Sequence, residues 1–388
     1  MNRKRLVILG STGSIGLSAL RVVEALADRF QVIGLATRRN ADLVLAQAAA
    51  CGAARVAVAD EDAAAAARAA APAGVTVLAG AGGLEELAAW EEADLVLAAT
   101  VGLSGLRPVL AAVRAGTDVA LATKEVLVAA GHLVTRACAE SGARLLPVDS
   151  EHSAVFQCLA GRPAAGVRRI ILTASGGPFV HKPDLDFDKV TVAEALRHPR
   201  WNMGRKVTVD SATMMNKGLE LIEAHWLFGV PFEKLEVLVH PESIVHSLVA
   251  FADGCVLAQL SPSDMRYAIQ HALTFPDRVD GGLPPLDLAG LGRLHFEQPN
   301  EARFPCLGLA RAAACAGGTL PVALNAANEV AVERFLAGGL AFSGIWRTVE
   351  KVLERQAPQP DPDWNLVLET DARARRDAAH IIEQMARR

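Results

Sequence analysis

The chain has 388 residues, of which 51% are hydrophobic and 21% are charged, and its formal net charge is −4. This length is enough for two or three domains with buried cores. The small net charge gives no reason to expect nucleic acid or an anionic membrane as a partner. No stretch approaches the roughly 20 apolar residues that a membrane helix needs.

Six cysteines are scattered along the chain, and no two of them form a CxxC pair. This pattern predicts reduced thiols in a cytoplasmic protein, and neither a disulfide framework nor a zinc site. The first apolar run, residues 6–9, is too short for the core of a signal peptide and is expected to be a strand.

A strand–turn–helix–strand pattern starts from that first run. Residues 6–9 lead into a turn with Gly10, Gly13 and Gly16, a helix follows, and residues 31–36 form the next predicted strand. Glycines permit the tight turn, and the helix N-terminus offers free N–H groups to a pyrophosphate. We therefore expect a Rossmann-type nucleotide site. The spacing is GxxGxxG in place of the commoner GxGxxG, and a plain tight turn is the alternative.

Two arginines, Arg38 and Arg39, follow the second strand and precede Asn40. A site for NADH usually has an acidic residue here, which binds the ribose hydroxyls. Guanidinium groups instead match the geometry of a 2′-phosphate. The sequence therefore favours NADPH, with a solvated basic turn as the alternative.

Further apolar runs predict the remaining strands of a parallel sheet, at residues 56–58, 75–78, 95–98, 119–122 and 145–148. Open α/β sheets bind their ligands at the carboxyl ends of the strands. Thr123, Lys124 and Glu125 follow one of these ends, and Asp149 follows the last. We expect Asp149 to lie beside the nicotinamide end of the cofactor.

A lid is predicted at about residues 197–206. Pro199 and Gly204 interrupt regular structure there, and Trp201 and Met203 are costly to expose to water. A segment that closes over a bound ligand buries such side chains only when it is shut. A tryptophan packed permanently on a neighbouring domain explains the same pattern.

Polar side chains for a phosphorylated polyol occur on either side of this lid. Ser175 lies in a glycine-rich loop that follows a predicted strand, and Ser211 is placed to cap the N-terminus of a helix. On that helix, Asn216 and Glu220 are four residues apart and share a face, with Lys217 adjacent. These residues suit a phosphate at the helix start and a metal or hydroxyl group at Glu220. An ordinary hairpin loop and solvated polar residues are the alternatives.

Three carboxylates, on Asp149, Glu151 and Glu220, are candidate ligands for one divalent ion. Oxygen ligands without a nearby cluster of histidine and cysteine favour Mg²⁺ or Mn²⁺ over zinc. Asp149 and Glu151 are two residues apart, so an extended conformation would point both side chains the same way.

The chain resembles the 1-deoxy-D-xylulose 5-phosphate reductoisomerase family, which acts in non-mevalonate isoprenoid biosynthesis. The matching segments occur in family order along most of the chain: GSTGSIG (10–16), ATKE (122–125), PVDSEHSA (147–154), TASGGPF (173–179), HPRWNMGRKVTVDSATMMNKGLELIEAHWLF (198–228), HPESIVHSLV (240–249), SPSDMRYAI (261–269), FPCL (304–307) and NAANEVAV (325–332).

The resemblance implies a set of functional residues. The implied metal ligands are Asp149, Glu151 and Glu220. The implied substrate-binding residues are Lys124, Ser150, Glu151, Ser175, His198, Trp201, Ser211, Asn216, Lys217 and Glu220, of which Lys124, Lys217 and Glu151 are expected to be catalytic. The implied cofactor-binding residues are Thr12, Gly13, Ser14, Ile15, Arg38, Arg39, Asn40, Thr123, Glu125 and Gly204. The family commonly has asparagine in place of Thr123, which bears on that one cofactor contact.

The implied reaction has two stages and needs NADPH and a divalent ion, Mg²⁺ or Mn²⁺ with Co²⁺ as a further candidate. Deoxyxylulose 5-phosphate rearranges to a branched aldehyde, which NADPH reduces to 2-C-methyl-D-erythritol 4-phosphate. The family is homodimeric, and inhibition by the phosphonohydroxamate fosmidomycin is expected.

The predicted fold class is α/β in three parts. A Rossmann-type NADPH domain covers residues 1–149, a central α/β catalytic and dimerisation domain covers 150–275, a linker covers 276–300 and a C-terminal helical domain covers 301–388. Strands are predicted at 235–240, 243–251 and 255–260. Asn325, Asn328 and Glu329, on the clearest C-terminal helix, are expected to be helix caps or packing polar groups.

Two other functions are compatible with a nucleotide-binding fold. One is an NADPH-dependent sugar-phosphate or hydroxy-acid dehydrogenase without isomerisation, against which the three carboxylates argue. The other is a nucleotide-sensing protein that has lost catalysis, and this would have degraded metal-ligand or lid residues. Whether the linear substrate gives a branched product distinguishes the first from a reductoisomerase.

Overall fold

A computed structural model describes residues 3–159 and 166–386, and the strands of this part of the chain form two sheets. The first sheet has seven parallel strands in the order β4-β3-β2-β1-β5-β6-β7. Its strands are β1 (Lys4–Leu9), β2 (Phe30–Thr37), β3 (Arg55–Val58), β4 (Thr76–Ala79), β5 (Leu95–Ala98), β6 (Asp118–Leu121) and β7 (Leu145–Pro147).

The second sheet has four strands in the order β11-β10-β8-β9. Its strands are β8 (Val167–Ala174), β9 (Leu235–Val239), β10 (Val245–Phe251) and β11 (Val256–Leu260). β10 is antiparallel to both of its neighbours, whereas β8 and β9 are parallel. β11 is therefore an edge strand.

The α-helices connect and cover these strands. They are α1 (Ser14–Ala25), α2 (Ala41–Cys51), α3 (Glu61–Ala70), α4 (Gly80–Ala88), α5 (Leu106–Arg114), α6 (Lys124–Ser141), α7 (Ser150–Leu159), α8 (Val192–Ala195), α9 (Arg205–Ala212), α10 (Met215–Phe228), α11 (Met265–Thr274), α12 (Leu288–Leu291), α13 (Pro305–Ala316), α14 (Leu320–Leu336), α15 (Gly344–Glu354) and α16 (Trp364–Ala386). No helix of the described ranges combines the length and the hydropathy that crossing a bilayer requires.

The first sheet confirms the predicted Rossmann-type fold. Residues 6–9 of β1 are completely buried, as expected for a parallel strand that helices cover on both faces. The strand order reverses between β1 and β5, and ligands bind at such a reversal in doubly wound sheets. Each later strand predicted for this sheet is present within one or two residues of its predicted bounds.

The described residues separate into two compact units that do not follow chain order. The first contains residues 3–126, 133–153 and 264–284, and the second contains 127–132, 154–159, 166–263 and 285–386. Residues 264–284 belong to the first unit because α11 packs on α1, β6 and β7. The predicted boundary at residue 275 and the linker at 276–300 therefore differ from this grouping, and α12 lies inside the predicted linker.

Two local predictions about the site segments are wrong. β7 ends at Pro147 and α7 begins at Ser150, so Glu151 is in the first turn of a helix and does not extend the strand beyond Asp149. Ser211 lies near the end of α9, and the next helix, α10, has Met214 at its N-cap position. Ser211 is therefore not a helix cap.

The core of the second unit packs the C-terminal helices against the second sheet. Its buried residues include Leu172 and Val237 from the sheet and Phe335 and Phe342 from the C-terminal region. Phe179 packs edge-on against Phe342, with ring centroids 5.3 Å apart. The loop that follows β8 is thus held by aromatic packing from a distant part of the chain.

Candidate active site

The glycine-rich turn after β1 is closed so tightly that side chains are excluded from it. Gly10 has φ of +84°, and a Cβ atom there would lie 2.4 Å from the carbonyl oxygen of Ala99. A Cβ atom on Gly16 would lie 2.4 Å from the carbonyl oxygen of Gly10. Gly13 immediately precedes α1, so the first N–H groups of that helix are presented at the turn. This geometry suits a pyrophosphate.

The two arginines that are predicted to bind the 2′-phosphate follow β2 and face solvent. Arg38 and Arg39 are exposed, and the Arg39 guanidinium pairs with Asp60 at 2.6 Å. The Asn40 side chain caps α2 by accepting a hydrogen bond from the N–H of Leu43. Asn40 therefore has a structural role in addition to its predicted cofactor contact.

Hydroxyl groups join the turns at the strand ends. The hydroxyl groups of Thr12 and Thr37 lie 2.7 Å apart, which links the glycine-rich turn to β2. Thr123 donates its hydroxyl proton to the carbonyl oxygen of Thr100, at 2.6 Å, and so connects the ends of β5 and β6. Glu125, two residues later, is buried.

Lys124 and Asp149 form an ion pair at the ends of β6 and β7. The Lys124 Nζ atom lies 2.6 Å from an Asp149 carboxylate oxygen, and both side chains are nearly buried. Next to this pair, Ser150 donates a hydrogen bond to the Glu151 carboxylate at 2.5 Å. The first unit thus brings together four of the predicted site residues at one edge of its sheet.

Ser175 and His198 form a second group, in the second unit. The Ser175 hydroxyl and the His198 Nε2 atom lie 2.8 Å apart. The His198 Nδ1 atom accepts hydrogen bonds from the backbone N–H groups of Arg200 and Trp201. Burial lowers the pKa of His198 to about 4. His198 is therefore neutral, and with Nδ1 accepting, its proton is on Nε2, which donates to Ser175.

Gly177 holds the Ser175 loop against the end of α9. It has φ of +66°, and a Cβ atom there would lie 2.8 Å from the carbonyl oxygen of Ser211 and 3.0 Å from the Cα atom of Ala212. Ser175 and Ser211, both predicted substrate contacts, are therefore joined through one backbone contact. Sequence reasoning did not select Gly177, although two consecutive glycines after a strand are a signal for such a close approach.

Trp201 packs on a histidine that sequence reasoning did not select. The ring centroids of Trp201 and His246 are 6.0 Å apart and the rings are tilted by 59°. Burial lowers the pKa of His246 to about 4, so the imidazole is neutral. Arg200 donates a hydrogen bond to the carbonyl oxygen of Pro241. Residues of the predicted lid thus rest on the turn and strand that contain His240–His246.

The start of α10 contains the third group. Asn216 and Lys217 both donate hydrogen bonds to the Glu220 carboxylate, one to each oxygen. Lys217 and Glu220 are almost completely buried. The predicted shared face of Asn216 and Glu220 is confirmed. Met214, before the helix, has φ of +62°, an uncommon conformation that ends α9 and redirects the chain into α10.

The side chains of the three predicted metal ligands are chemically suited to a hard divalent ion. Asp149, Glu151 and Glu220 offer only carboxylate oxygens, which Mg²⁺ and Mn²⁺ accept as ligands. Glu220 is 1% exposed, and a carboxylate so far from water needs cationic or hydrogen-bonding partners. Lys217 and Asn216 supply such partners within the second unit.

Three domain families match consecutive parts of the chain. Residues 6–131 match 1-deoxy-D-xylulose 5-phosphate reductoisomerase, residues 145–228 match the 1-deoxy-D-xylulose 5-phosphate reductoisomerase C-terminal domain, and residues 260–377 match the DXP reductoisomerase C-terminal domain.

Relatives with this name match almost the full length of the chain. The 1-deoxy-D-xylulose 5-phosphate reductoisomerase of Symbiobacterium thermophilum is 55% identical over 97% of this chain and 98% of its own length. That of Pelotomaculum thermopropionicum is 50% identical over 98% of this chain and 99% of its own length.

Solved structures also match nearly the full length of the chain. The reductoisomerase of Zymomonas mobilis in complex with NADPH is 44% identical, covers 98% of this chain and 100% of its own and superposes with a TM-score of 0.92. A reductoisomerase in complex with NADPH, fosmidomycin and magnesium is 39% identical, covers 98% of this chain and 99% of its own, and also has a TM-score of 0.92.

Proposed function

Because the chain belongs to the 1-deoxy-D-xylulose 5-phosphate reductoisomerase family, we propose that it converts 1-deoxy-D-xylulose 5-phosphate into 2-C-methyl-D-erythritol 4-phosphate. The reaction is a rearrangement of the carbon skeleton followed by reduction with NADPH. The observation that carries this proposal is the near-full-length identity to reductoisomerases.

Asp149, Glu151 and Glu220 are the proposed ligands of the divalent ion. Their oxygen donors suit Mg²⁺ or Mn²⁺, and a related reductoisomerase was solved with magnesium. Bound to these residues, the ion supplies Lewis-acid polarisation of the substrate carbonyl and offsets negative charge on its oxygens. Lys124 pairs with Asp149 and Lys217 pairs with Glu220, and these ion pairs orient the two carboxylates.

Lys124 and Lys217 are also the proposed catalytic cations. Both are nearly buried, where a positive charge acts more strongly on a substrate oxygen than it does in water. Each can stabilise a negative oxygen or move a proton during the rearrangement. Ser150 and Glu151 contact the substrate at the same edge of the first sheet.

Ser175, His198, Ser211 and Asn216 are the proposed contacts for the substrate phosphate. The neutral His198 donates to Ser175, and Gly177 holds that loop against the Ser211 segment. A grip on the remote phosphate orients the reacting end, where small misplacements are costly. Trp201 and Met203 cover the substrate and exclude water from the hydride path.

The proposed NADPH site follows the carboxyl edge of the first sheet. Thr12, Gly13, Ser14 and Ile15 bind the pyrophosphate, and Arg38, Arg39 and Asn40 bind the 2′-phosphate. Thr123, Glu125 and Gly204 are the remaining proposed contacts. The exposure of both arginines, and the N–H groups presented at the start of α1, support this assignment.

We also propose a homodimer in the cytoplasm. The second sheet ends in β11, whose outward edge and Val256, 49% exposed, are available to a second copy of the chain. Each of the six cysteines is a thiol outside any disulfide, which agrees with a reducing compartment. Fosmidomycin is the expected inhibitor, because its hydroxamate chelates a metal and its phosphonate resembles a phosphate.

The decisive experiment measures NADPH oxidation with deoxyxylulose 5-phosphate, with and without Mg²⁺ or Mn²⁺, and identifies the product. Glu151→Gln removes one proposed ligand, and we expect kcat to fall by at least about 100-fold because the Lewis-acid contribution is several kcal/mol. Glu61→Gln, the same change in the first turn of α3, is the control and should leave kcat unchanged. Absence of turnover with every ion, in protein that binds NADPH, would contradict the proposal.

A further inference from the structure

A buried amide–carboxylate contact joins the C-terminal helix α14 to α9. The Asn328 Nδ2 atom donates a hydrogen bond to the Asp210 carboxylate at 2.8 Å, across 118 positions of the chain. Asn328 is 0% exposed and Asp210 is 1% exposed. A carboxylate accepts and does not donate, so it is the amide N–H of Asn328 that faces Asp210. This contact connects residues 325–329 of α14 to α9, the helix that contains Ser211.

Asp210 connects both ends of the short helix α9. Lys206, in the first turn and next to the predicted lid, places its Nζ atom 3.0 Å from the Asp210 carboxylate. At the other end, the Thr213 hydroxyl donates to the Asp210 backbone carbonyl at 3.2 Å. Movement of Asp210 would therefore be transmitted to the lid on one side and to the start of α10 on the other.

Ser211 follows Asp210 directly and makes the backbone contact with Gly177. The carbonyl oxygen of Ser211 would lie 2.8 Å from a Cβ atom at Gly177, so the two segments have no room to shift towards each other. The position of α9 thus decides how the hydroxyls of Ser175 and Ser211 are arranged, and that arrangement depends on the anchor at Asp210.

We propose that Asn328 is a positioning residue for the phosphate end of the substrate, acting through Asp210 on Ser211 and the lid. This inference rests on the proposed function. Helix α14 is a firm support, because ten of its other residues are buried. Hydrogen bonds between an amide and a buried carboxylate are among the stronger ones in proteins, and loss of the donor leaves the carboxylate undersatisfied.

The test compares Asn328→Leu with Asn325→Leu. Asn325 is 1% exposed and lies one turn earlier on α14, but its amide donates to Glu329 at 3.3 Å and not to α9. Both variants remove a buried amide, so both are expected to lower thermal stability. Only Asn328→Leu should raise KM for deoxyxylulose 5-phosphate, by about tenfold, while KM for NADPH stays within about twofold of wild type.

A double exchange and a pair of serine variants extend this comparison. The exchange Asp210→Asn with Asn328→Asp restores an amide–carboxylate pair in the opposite sense but removes the ion pair between Lys206 and Asp210, so it should recover part of the lost substrate affinity. If Asn328→Leu does not fold, Asn328→Ser and Asn325→Ser give the same comparison with smaller side chains. Equal substrate KM values for the 325 and 328 variants would overturn the inference.

A binding measurement separates this inference from the proposed function. Inorganic phosphate is titrated into NADPH-loaded protein by calorimetry, which needs no turnover. Weaker phosphate binding in the 328 variant than in the 325 variant would support the inference even if the wild type did not convert deoxyxylulose 5-phosphate. Equal phosphate affinities would overturn it, whatever the catalytic result.

Discussion

His198 illustrates how one side chain combines several contacts whose partners lie in different parts of the chain. Its Nδ1 atom orders the backbone of Arg200 and Trp201, and its Nε2 atom contacts Ser175. The acceptor role of Nδ1 requires the neutral ring, and burial lowers the pKa of His198 to about 4. In its neutral state the same residue thus contacts both the predicted lid and the loop that contains Ser175.

This protonation state predicts a pH dependence of stability. In the unfolded chain the pKa of His198 returns to about 6.5, so the unfolded state binds the extra proton first as the pH falls. Stability contributed by the neutral ring is complete above about pH 6.5 and is lost progressively down to about pH 4. We expect His198→Asn to be destabilised at pH 7.5 and to approach the wild type at pH 5, as urea unfolding at each pH would measure.

The prediction would be contradicted if the difference in stability between wild type and His198→Asn were the same at both pH values, or larger at pH 5 than at pH 7.5. His271→Asn is a matched control, because burial also lowers the pKa of His271 to about 4 but the residue lies in α11 of the first unit. Its variant should show the same trend in stability without changing substrate KM.

Helix α6 shows a packing requirement that local sequence preference does not reveal. Its 18 residues include a kink at Ala130, where φ is −144° and ψ is 32°. The next residue, Gly131, faces the indole of Trp226, and a Cβ atom there would lie 2.2 Å from two ring atoms. Glycine lowers helix propensity, but here it makes room for a large aromatic side chain from α10.

Gly131→Ala should therefore lower the free energy of unfolding by about 1–3 kcal/mol, since overpacking a core forces neighbours to shift. Gly82→Ala is the matched control. Gly82 lies within α4 and is exposed, and a Cβ atom added there would have no neighbouring atom within 4 Å, so alanine should raise stability by roughly 0.5–1 kcal/mol. Chemical unfolding of both variants measures the two effects, and equal changes would contradict the packing argument.

One edge of the second sheet, at β11, is a candidate surface for assembly of the whole molecule. β11 pairs with β10 on one side only, and Val256 is one of the large apolar residues exposed in the described chain. Exposed apolar edge strands are sites of intermolecular pairing, and a dimer interface would cover this one. The proposed homodimer accounts for the edge without a further partner.

Val256→Lys should shift the protein from dimer to monomer, because a charged residue on an edge strand opposes pairing with a second copy. Sedimentation velocity at micromolar concentration measures the change. Val101→Lys, at a site that is 80% exposed and outside the strands, is the control and should leave the assembly unaltered. Sedimentation of the wild-type protein as a monomer would contradict the proposed homodimer.

Local patterns were enough to predict the strands of the first sheet and the first helix. The parallel strands, the glycine-rich turn before α1 and the shared face of Asn216 and Glu220 were all correct. These features depend on residues close in sequence: apolar runs, the φ angles that glycine permits and the four-residue repeat of a helix. The family was also recognisable, because its motifs are long and keep their order.

Only the tertiary structure decided the contacts that arrange the site. The sequence could not show that Glu151 lies in the first turn of a helix, that Ser211 lies near the end of α9, or that α11 joins the first unit. The partners of His246, Gly177 and Asn328 are also distant in the chain. Amino-acid patterns specify which stretches form strands and which side chains share a helix face, but packing decides which distant residues meet, since that depends on the whole fold.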